Sequence, residues 1–327
     1  MSGFKDRFAV LCAAAFAVGP LHAAQTDAAS AYPNRPIRLI VPFAPSGGLD
    51  TTARALAIKL GEKWGQQIVV DNRAGASGAI GVEAAAKANP DGYTVCMISA
   101  SNAVNAASNP NLPFDLTKDL QPVGQLTSLF YVLYHHPSVP VKSVKELIAY
   151  AKANPAKLNF GASGTGSLQH FAGELFNQMA GVHIVHVPFK GSGAVVPAML
   201  ANEVQVAIGA MFAVRPQVQA GRLSWLAITA AKRSPMVDLP TLSESGLPGY
   251  EVDQWYGTIT AARVPRPIVN KLSEAIAEAL KSPDVTKRLA SEGAVPVGSA
   301  PEQFGPYLKT EIAKWQKLVK QGNLKLQ

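Results

Sequence analysis

Cysteine is scarce: the chain has two in 327 residues, Cys12 and Cys96. Cys12 follows Val10-Leu11 rather than a small residue, which makes it a poor lipid-attachment site. Cys96 lies in the apolar stretch Thr94–Ile98 and is expected to behave as a small buried hydrophobe. With Cys12 in a removable leader, an internal disulfide is excluded. Cys-x-x-Cys and His-x-x-x-His are both missing. His135-His136 and the pair His183 and His186 have the wrong spacing for a strand to bring them to one face, so neither a metal nor another cofactor is expected. The nucleotide and hydrolase motifs are missing too. There is no G-x-x-x-x-G-K-[ST], Gly75-x-x-Gly78-x-x-Gly81 departs from G-x-G-x-x-G, and no G-x-S-x-G occurs. Charged residues are few, 16% against 48% hydrophobic, which excludes disorder and a charged coiled coil. The net charge of +8 is dispersed, with no run of five Lys or Arg. It reads as solvated surface, so neither nucleic acid nor an anionic membrane is the expected partner. After the N-terminus no apolar run approaches the roughly 20 residues of a membrane-spanning helix.

What is present begins with residues 1–24, which read as an export signal. Lys5 and Arg7 precede the apolar run Phe8–Val18, Gly19-Pro20 breaks it, and Ala23 and Ala24 follow. A buried N-terminal helix is the alternative. Cleavage after Ala23 and cleavage near Ala29-Ser30-Ala31 both fit. The remaining length suits about two domains of roughly 150 residues. Strand-like runs such as Ile37–Phe43, Ile68–Val70 and Thr94–Ile98 alternate with helical periodicities, as in Ala53, Leu56, Leu60 and Trp64, which predicts an α/β fold. Ile268, Leu272, Ile276 and Leu280 mark a late amphipathic helix, and Phe304, Leu308, Ile312, Trp315 and Val319 a C-terminal one.

Three strand-to-helix turns share one design: Phe43–Asp50 (FAPSGGLD), Gly161–Ser167 (GASGTGS) and Lys190–Gly193 (KGSG). Small residues allow close backbone approach, and the helix that follows offers unpaired N–H groups with partial positive charge. In chemical terms this is a carboxylate or phosphate site; plain tight turns are the alternative for any one of them. Asp50 either caps its helix or meets a donor on a ligand, with capping the commoner role for such a residue. His170 either donates to a bound anion or is a satisfied helix histidine.

The chain resembles the extracytoplasmic receptors of tripartite tricarboxylate transporters, the Bug-type receptors. The likeness rests on Tyr32–Asp50 (YPNRPIRLIVPFAPSGGLD), Val70–Gly75 (VDNRAG), Pro90–Thr94 (PDGYT), Leu112–Asp115 (LPFD), His170–Leu175 (HFAGEL) and Val185–Ser192 (VHVPFKGS). The resemblance implies a two-lobed periplasmic-binding-protein fold, the type II Venus flytrap, with a cleft that closes on a small carboxylate. It also implies a periplasmic monomer whose partners are that carboxylate and the permease subunits of the transporter. Carried over by position, Phe43, Ala44, Ser46, Gly47, Gly48 and Asp50 form the first-lobe loop. Ser163, Gly164, Thr165, Ser167 and His170, joined by Lys190 on the next turn, form its counterpart. Ser99 and Ser101 line the cleft, and Trp255 and Tyr256 flank its closing side. Lobe 1 is expected over 32–128 plus 236–300 and lobe 2 over 129–235, with crossings at Gln125–Tyr131 and Ala230–Pro240. A C-terminal helix, 301–327, packs on both.

Two departures from the family pattern bear on specificity. Leu49 stands where many members have a hydroxyl residue, and Gly209, followed by Met211 and Phe212, stands where many carry an aspartate. A roomier, more apolar pocket is therefore expected, suited to an aromatic or long-chain carboxylate. Binding without catalysis is the primary reading. An enzyme using His170, Asp50 or Lys190, and a periplasmic ligand sensor, are the alternatives.

Overall fold

The computed structural model describes residues 30–45 and 47–322. The export signal 1–24 with the candidate cleavage site after Ala23, Cys12, Ser46 and residues 323–327 lie outside the described residues, and the candidate site at Ala29-Ser30-Ala31 straddles their start.

The first part of the chain alternates strand and helix as expected. β1 (Ile37–Val41) leads into α1 (Gly48–Trp64), β2 (Ile68–Asn72) into α2 (Ala79–Ala86), and β3 (Thr94–Ser99) into α3 (Ala100–Ser108). β4 (Leu120–His135) follows, then α4 (Val144–Ala153), β5 (Asn159–Ala162), α5 (Leu168–Ala180), β6 (Val185–Pro188), α6 (Val195–Leu200), β7 (Val206–Ala210), α7 (Met211–Gln219) and β8 (Ser224–Ile228). β9 (Asp253–Ala261), α8 (Arg266–Leu280), α9 (Pro283–Ser291), β10 (Val295–Pro296) and α10 (Pro301–Gly322) complete it. The sheet order is β2-β1-β3-β9-β4-β7-β5-β6, with β8 and β10 also on β4.

The strand β4 belongs to both lobes. From Leu120 to Phe130 it pairs antiparallel with β9, and from Tyr131 to His135 with β7 and β8. The parallel strands β1, β2 and β3 lie to one side of it, and β5, β6 and β7 to the other. Ile40, Cys96 and Ile98 face α2, α3 and α10, while Leu39, Val41, Val95 and Met97 face α1 and α8. This is the alternation a half-buried strand dictates. Cys96 is fully buried, as expected, and burial pushes its thiol pKa far up. α10 lies across the rear of both lobes. Phe304 packs edge-on against Trp255 of β9, and Trp315 edge-on against Phe171 of α5.

The return crossing comes later than 230–240. Residues 236–252, expected in lobe 1, stay with the second sheet: the Ile228 N–H donates to the Pro240 carbonyl, and the Leu242 N–H to that of Ile228. The Tyr250 hydroxyl donates to the Ala172 carbonyl in α5. The polar run Ala230–Pro235 has the composition of an exit but is a loop that leads back along β8. The chain re-enters the first sheet at Asp253, opposite Phe130.

Thr229 ties the two crossings together. Its N–H donates to the Tyr131 carbonyl at 2.9 Å, its Oγ1 accepts from the Tyr131 N–H at 2.8 Å, and Oγ1 donates to the Val252 carbonyl at 2.6 Å. The Val252 N–H donates in turn to the Thr229 carbonyl at 3.0 Å. Thr229 is fully buried, so a lost partner there leaves a polar group dry. Thr229→Val keeps the shape and strands the Tyr131 N–H. It is expected to cost about 1–3 kcal/mol, read as a lowered midpoint in chemical denaturation. An unchanged midpoint would show that the clasp adds nothing.

Candidate functional site

The first lobe assembles three turns at the carboxyl ends of its parallel strands, the edge at which open α/β sheets bind ligands. α1 starts at Gly48 behind an extended Gly47 that provides no side-chain cap, so the first-turn amides are open to an incoming acceptor. A side chain has no room at Gly48: a Cβ there would lie 2.5 Å from the Tyr256 hydroxyl and 3.0 Å from Glu292 Oε2. Asp50 is a positioning residue. It is 3% exposed, its Oδ1 accepts from Asn72 Nδ2 at 2.9 Å and its Oδ2 from Arg54 Nε at 3.0 Å. The same Asn72 amide donates to the Phe43 carbonyl at 3.2 Å, so Asp50 fixes the loop through Asn72. In the first turn of α1, Asp50 thus braces the loop that leads into its helix. Ala44 is exposed at the loop tip and Phe43 half-buried.

Two further turns join this loop. Ser99 ends β3 directly opposite Tyr256 of β9, and its N–H donates to Asn102 Oδ1 at 2.9 Å, closing the first turn of α3. Ser101, in that turn, is half-buried. Gly78 lies against Asn102 and Phe43, which draws the Gly75–Gly81 turn into the rim of this half-site. In the sequence that turn carries part of the family likeness at Val70–Gly75 and departs from a dinucleotide motif; its glycines are visible there, but its position depends on β2 lying next to β1.

The second lobe builds its half-site on β5, β6 and β7. Gly164 and Gly166 have φ of 128° and 79°, which only glycine adopts readily, and bend the chain from β5 into α5. Ser167 caps α5, its hydroxyl accepting from the His170 N–H at 3.2 Å. The Gly166 N–H donates to His170 Nδ1 at 3.2 Å. His170 is buried and stacked on His186 at 3.9 Å, and burial, with His186 beside it, holds its pKa down at about 4. It is a neutral ring bracing the loop, not a cation aimed at an anion. Thr165 is exposed at the tip, and Ser163 is half-buried with its N–H donating to Gln169 Oε1 at 2.9 Å. Phe189 and Gly191, which flank the exposed Lys190, bond to the carbonyls of Ala162 and Ser163, so the Lys190–Gly193 turn abuts the Gly161–Ser167 turn.

The space above Gly209 is not empty. A Cβ there would lie 2.9 Å from Gln169 Nε2 and 3.4 Å from the Tyr134 hydroxyl. The roomier, apolar pocket expected from the missing aspartate is therefore corrected: an amide and a phenol fill that volume. Burial raises the pKa values of Tyr131, Tyr134 and Tyr256, keeping each phenol a neutral donor.

Trp255 is likewise corrected. It is 0% exposed, packs against Phe304 and Tyr307, and donates from Nε1 to Glu311 Oε2 at 3.3 Å. Successive strand residues face opposite ways, so only Tyr256 of the pair reaches the first loop. Nor does the structure gather Asp50, His170 and Lys190: the first is braced within lobe 1 and the other two lie in lobe 2.

The crossing strand sets the spacing of the two half-sites. Ser99 pairs with Tyr256, Tyr256 with Thr127 of β4, and Tyr131 of β4 with Ala210 beside Gly209. Thr127 to Tyr131 covers about 13 Å at roughly 3.3 Å per residue. The lobes also approach each other beyond it: a Cβ on Gly293 would lie 3.5 Å from the Met211 methyl and 4.0 Å from that of Met236.

The family model for the tripartite tricarboxylate transporter family receptor matches residues 52–324. BugT of Bordetella pertussis is 37% identical over 301 residues, 91% of this chain and 92% of that one. Among solved structures, R. palustris Rpa4515 with adipate is 36% identical with a TM-score of 0.81, covering 90% of this chain and 99% of that one. MatC from Rhodopseudomonas palustris with bound malate is 32% identical with a TM-score of 0.78, covering 88% and 100%. The two-lobed α/β fold, the paired amide-lined turns and these matches agree, and the chain belongs to the tripartite tricarboxylate transporter family of receptors.

Proposed function

We propose that this chain is an extracytoplasmic receptor that captures a small organic carboxylate between its lobes and hands it to the permease of a tripartite transporter, making and breaking no bond. The observation that carries this reading is the pair of helix-start turns, at Gly47–Gly48 and Ser163–Ser167, on either side of the β4 crossing. Each offers main-chain donors to an acceptor without a fixed countercharge. Charge-assisted bonds contribute about 1.5–3 kcal/mol each, so three or four, less ordering costs, reach the roughly 8 kcal/mol of a micromolar complex. Both half-sites are complete only when the lobes meet, and the ligand drives closure by its preference for that state.

The ligand in this reading is a dicarboxylate. One carboxylate takes Gly47, Gly48 and Ser99, with Phe43 and Ala44 as the wall. The other faces Ser163, Gly164, Thr165, Ser167 and the Gln169 amide, with Lys190 supplying longer-range attraction. Gln169 Nε2 and the Tyr134 hydroxyl stand where a carboxylate side chain would welcome an ammonium group, which favours a second acceptor over an amino acid. Related receptors were solved with adipate and with malate, in keeping with this choice. The protein works as a monomer in the periplasm, exported by residues 1–24.

A thermal-shift panel of adipate, malate, citrate, benzoate and aspartate tests the reading. A dicarboxylate at 100 times its dissociation constant is expected to stabilise the fold by about 2.7 kcal/mol; no response to any acid would overturn it. Gly209→Asp provides a second test. It sets a carboxylate beside Gln169, and adipate affinity measured by calorimetry is expected to drop at least tenfold while aspartate loses less. Equal losses for both would remove Gly209 from the site.

A further inference from the structure

Glu292, the residue that ends α9, brings a carboxylate to the same helix start that the proposed function assigns to the ligand. Its Oε1 accepts from Thr51 Oγ1 at 2.8 Å and from Arg288 at 3.0 Å. Its Oε2 is buried and has no hydrogen-bond partner among the described residues, although the side chain is only 6% exposed. That oxygen points at the opening of α1, 3.0 Å from where a Cβ on Gly48 would stand, and the Tyr256 hydroxyl is 2.5 Å from the same point. The next residue, Gly293, lies against Met211 and Met236, so Glu292 sits where the first half-site meets the second lobe.

The groups around it are few. α9 contributes Arg288, bonded to Oε1, and α1 contributes the uncharged Thr51, with Asp50 engaged by Asn72 and Arg54. β9 contributes the phenol of Tyr256. From the second lobe come Met211 and Met236, whose neighbour Arg215 donates to the Met211 sulfur and the Met236 carbonyl. Among the described residues no cation is bonded to Oε2. A second carboxylate seated on the α1 amides would therefore meet the unpartnered oxygen of a carboxyl that Arg288 contacts only at Oε1, and two carboxylates sharing one site cannot both stay charged without one pKa rising strongly.

Resting on the carboxylate reading above, we propose that capture of the ligand is coupled to protonation of Glu292, whose acid O–H then donates to the bound carboxylate. One proton enters from solvent for each ligand, and no other bond changes. The proton supplies the missing partner of Oε2 and converts repulsion into a hydrogen bond. Burial already holds the Glu292 carboxyl above its ordinary range, against the opposing pull of Thr51 and Arg288. The sign follows: lower pH favours capture, and affinity falls as pH rises between the pKa of the free and of the bound state.

Titration calorimetry of the purified protein between pH 5 and 8, in buffers of unequal ionisation enthalpy, tests this with adipate, malate, citrate and benzoate as probes. Wild type is expected to take up about one proton per ligand and to lose affinity by up to tenfold per pH unit. Glu292→Gln, which mimics the protonated acid, is expected to bind within about threefold of wild type at pH 5 and to show neither effect. The acids' own titration is common to both proteins and cancels in the comparison. Thr51→Val, which removes a bond favouring the ionised form, is expected to move the fall in affinity to higher pH, and provides the readout if the glutamine variant does not fold. Binding without proton uptake, uptake that persists in Glu292→Gln, or an unmoved profile in Thr51→Val overturns the proposal alone. A wild type that binds none of the four acids overturns the carboxylate reading as well, and the coupling with it.

Discussion

The architecture depends on one strand serving two sheets. β4 runs without interruption for sixteen residues, and its partner changes from β9 to β7 and β8 between Phe130 and Tyr131. At that point the outgoing chain and the returning chain are held together by Thr229, whose main-chain and side-chain groups reach Tyr131 and Val252. Separating the lobes would break a continuous ladder in a buried place, where lost partners are costly. Rotation about the few residues at the change of partner is the inexpensive motion, in keeping with hinges that absorb their angular change over a short segment. The same strand carries both half-sites, because the end of β3, through β9, and the end of β7 register on it four residues apart.

The electrostatics of the site follow from restraint. The side chains near the turns that might hold charge are occupied or kept neutral: Asp50 braces Asn72, His170 is buried against His186, and the phenols of Tyr131, Tyr134 and Tyr256 are held protonated by burial. Main-chain amides and hydroxyls are left to meet an acceptor. Such donors are fixed by the turns themselves, so little ordering is needed when a ligand arrives. Glu292 and the exposed Lys190 are the exceptions, and the Glu292 carboxylate stands at the helix start that has no side-chain cap.

Much of the fold was legible from the sequence. The alternation of Val, Ile and Leu runs with helical spacing placed the strands, and the three Gly/Ser turns marked where they end, because special backbone angles and close approach leave a compositional trace. Side-chain direction was harder to read. Trp255 and Tyr256 are equally aromatic, and only the register of β9 against β3 and β4 shows which faces α10. The return crossing was misplaced because Ala230–Pro235 has the polarity of an exit, whereas the hydrogen bonds from β8 to Pro240 and Leu242 depend on long-range pairing. Gly209 misled for a related reason. A missing side chain suggests a void, but Gln169, forty residues earlier in the chain, fills it, and packing of that kind leaves no local pattern. Glu292 gave no signal either, since it is 241 residues from the Thr51 it bonds.

α10 touches both halves from behind, with Phe304 on Trp255 in one and Trp315 on Phe171 in the other. Gly257, which has no side chain to block the Phe304 ring, allows the helix to sit close against β9. A jaw opened at the front must compress or slide along whatever bridges its back. Were the lobes to open, the C-terminal helix would be their fulcrum, because it is packed on a ring of each.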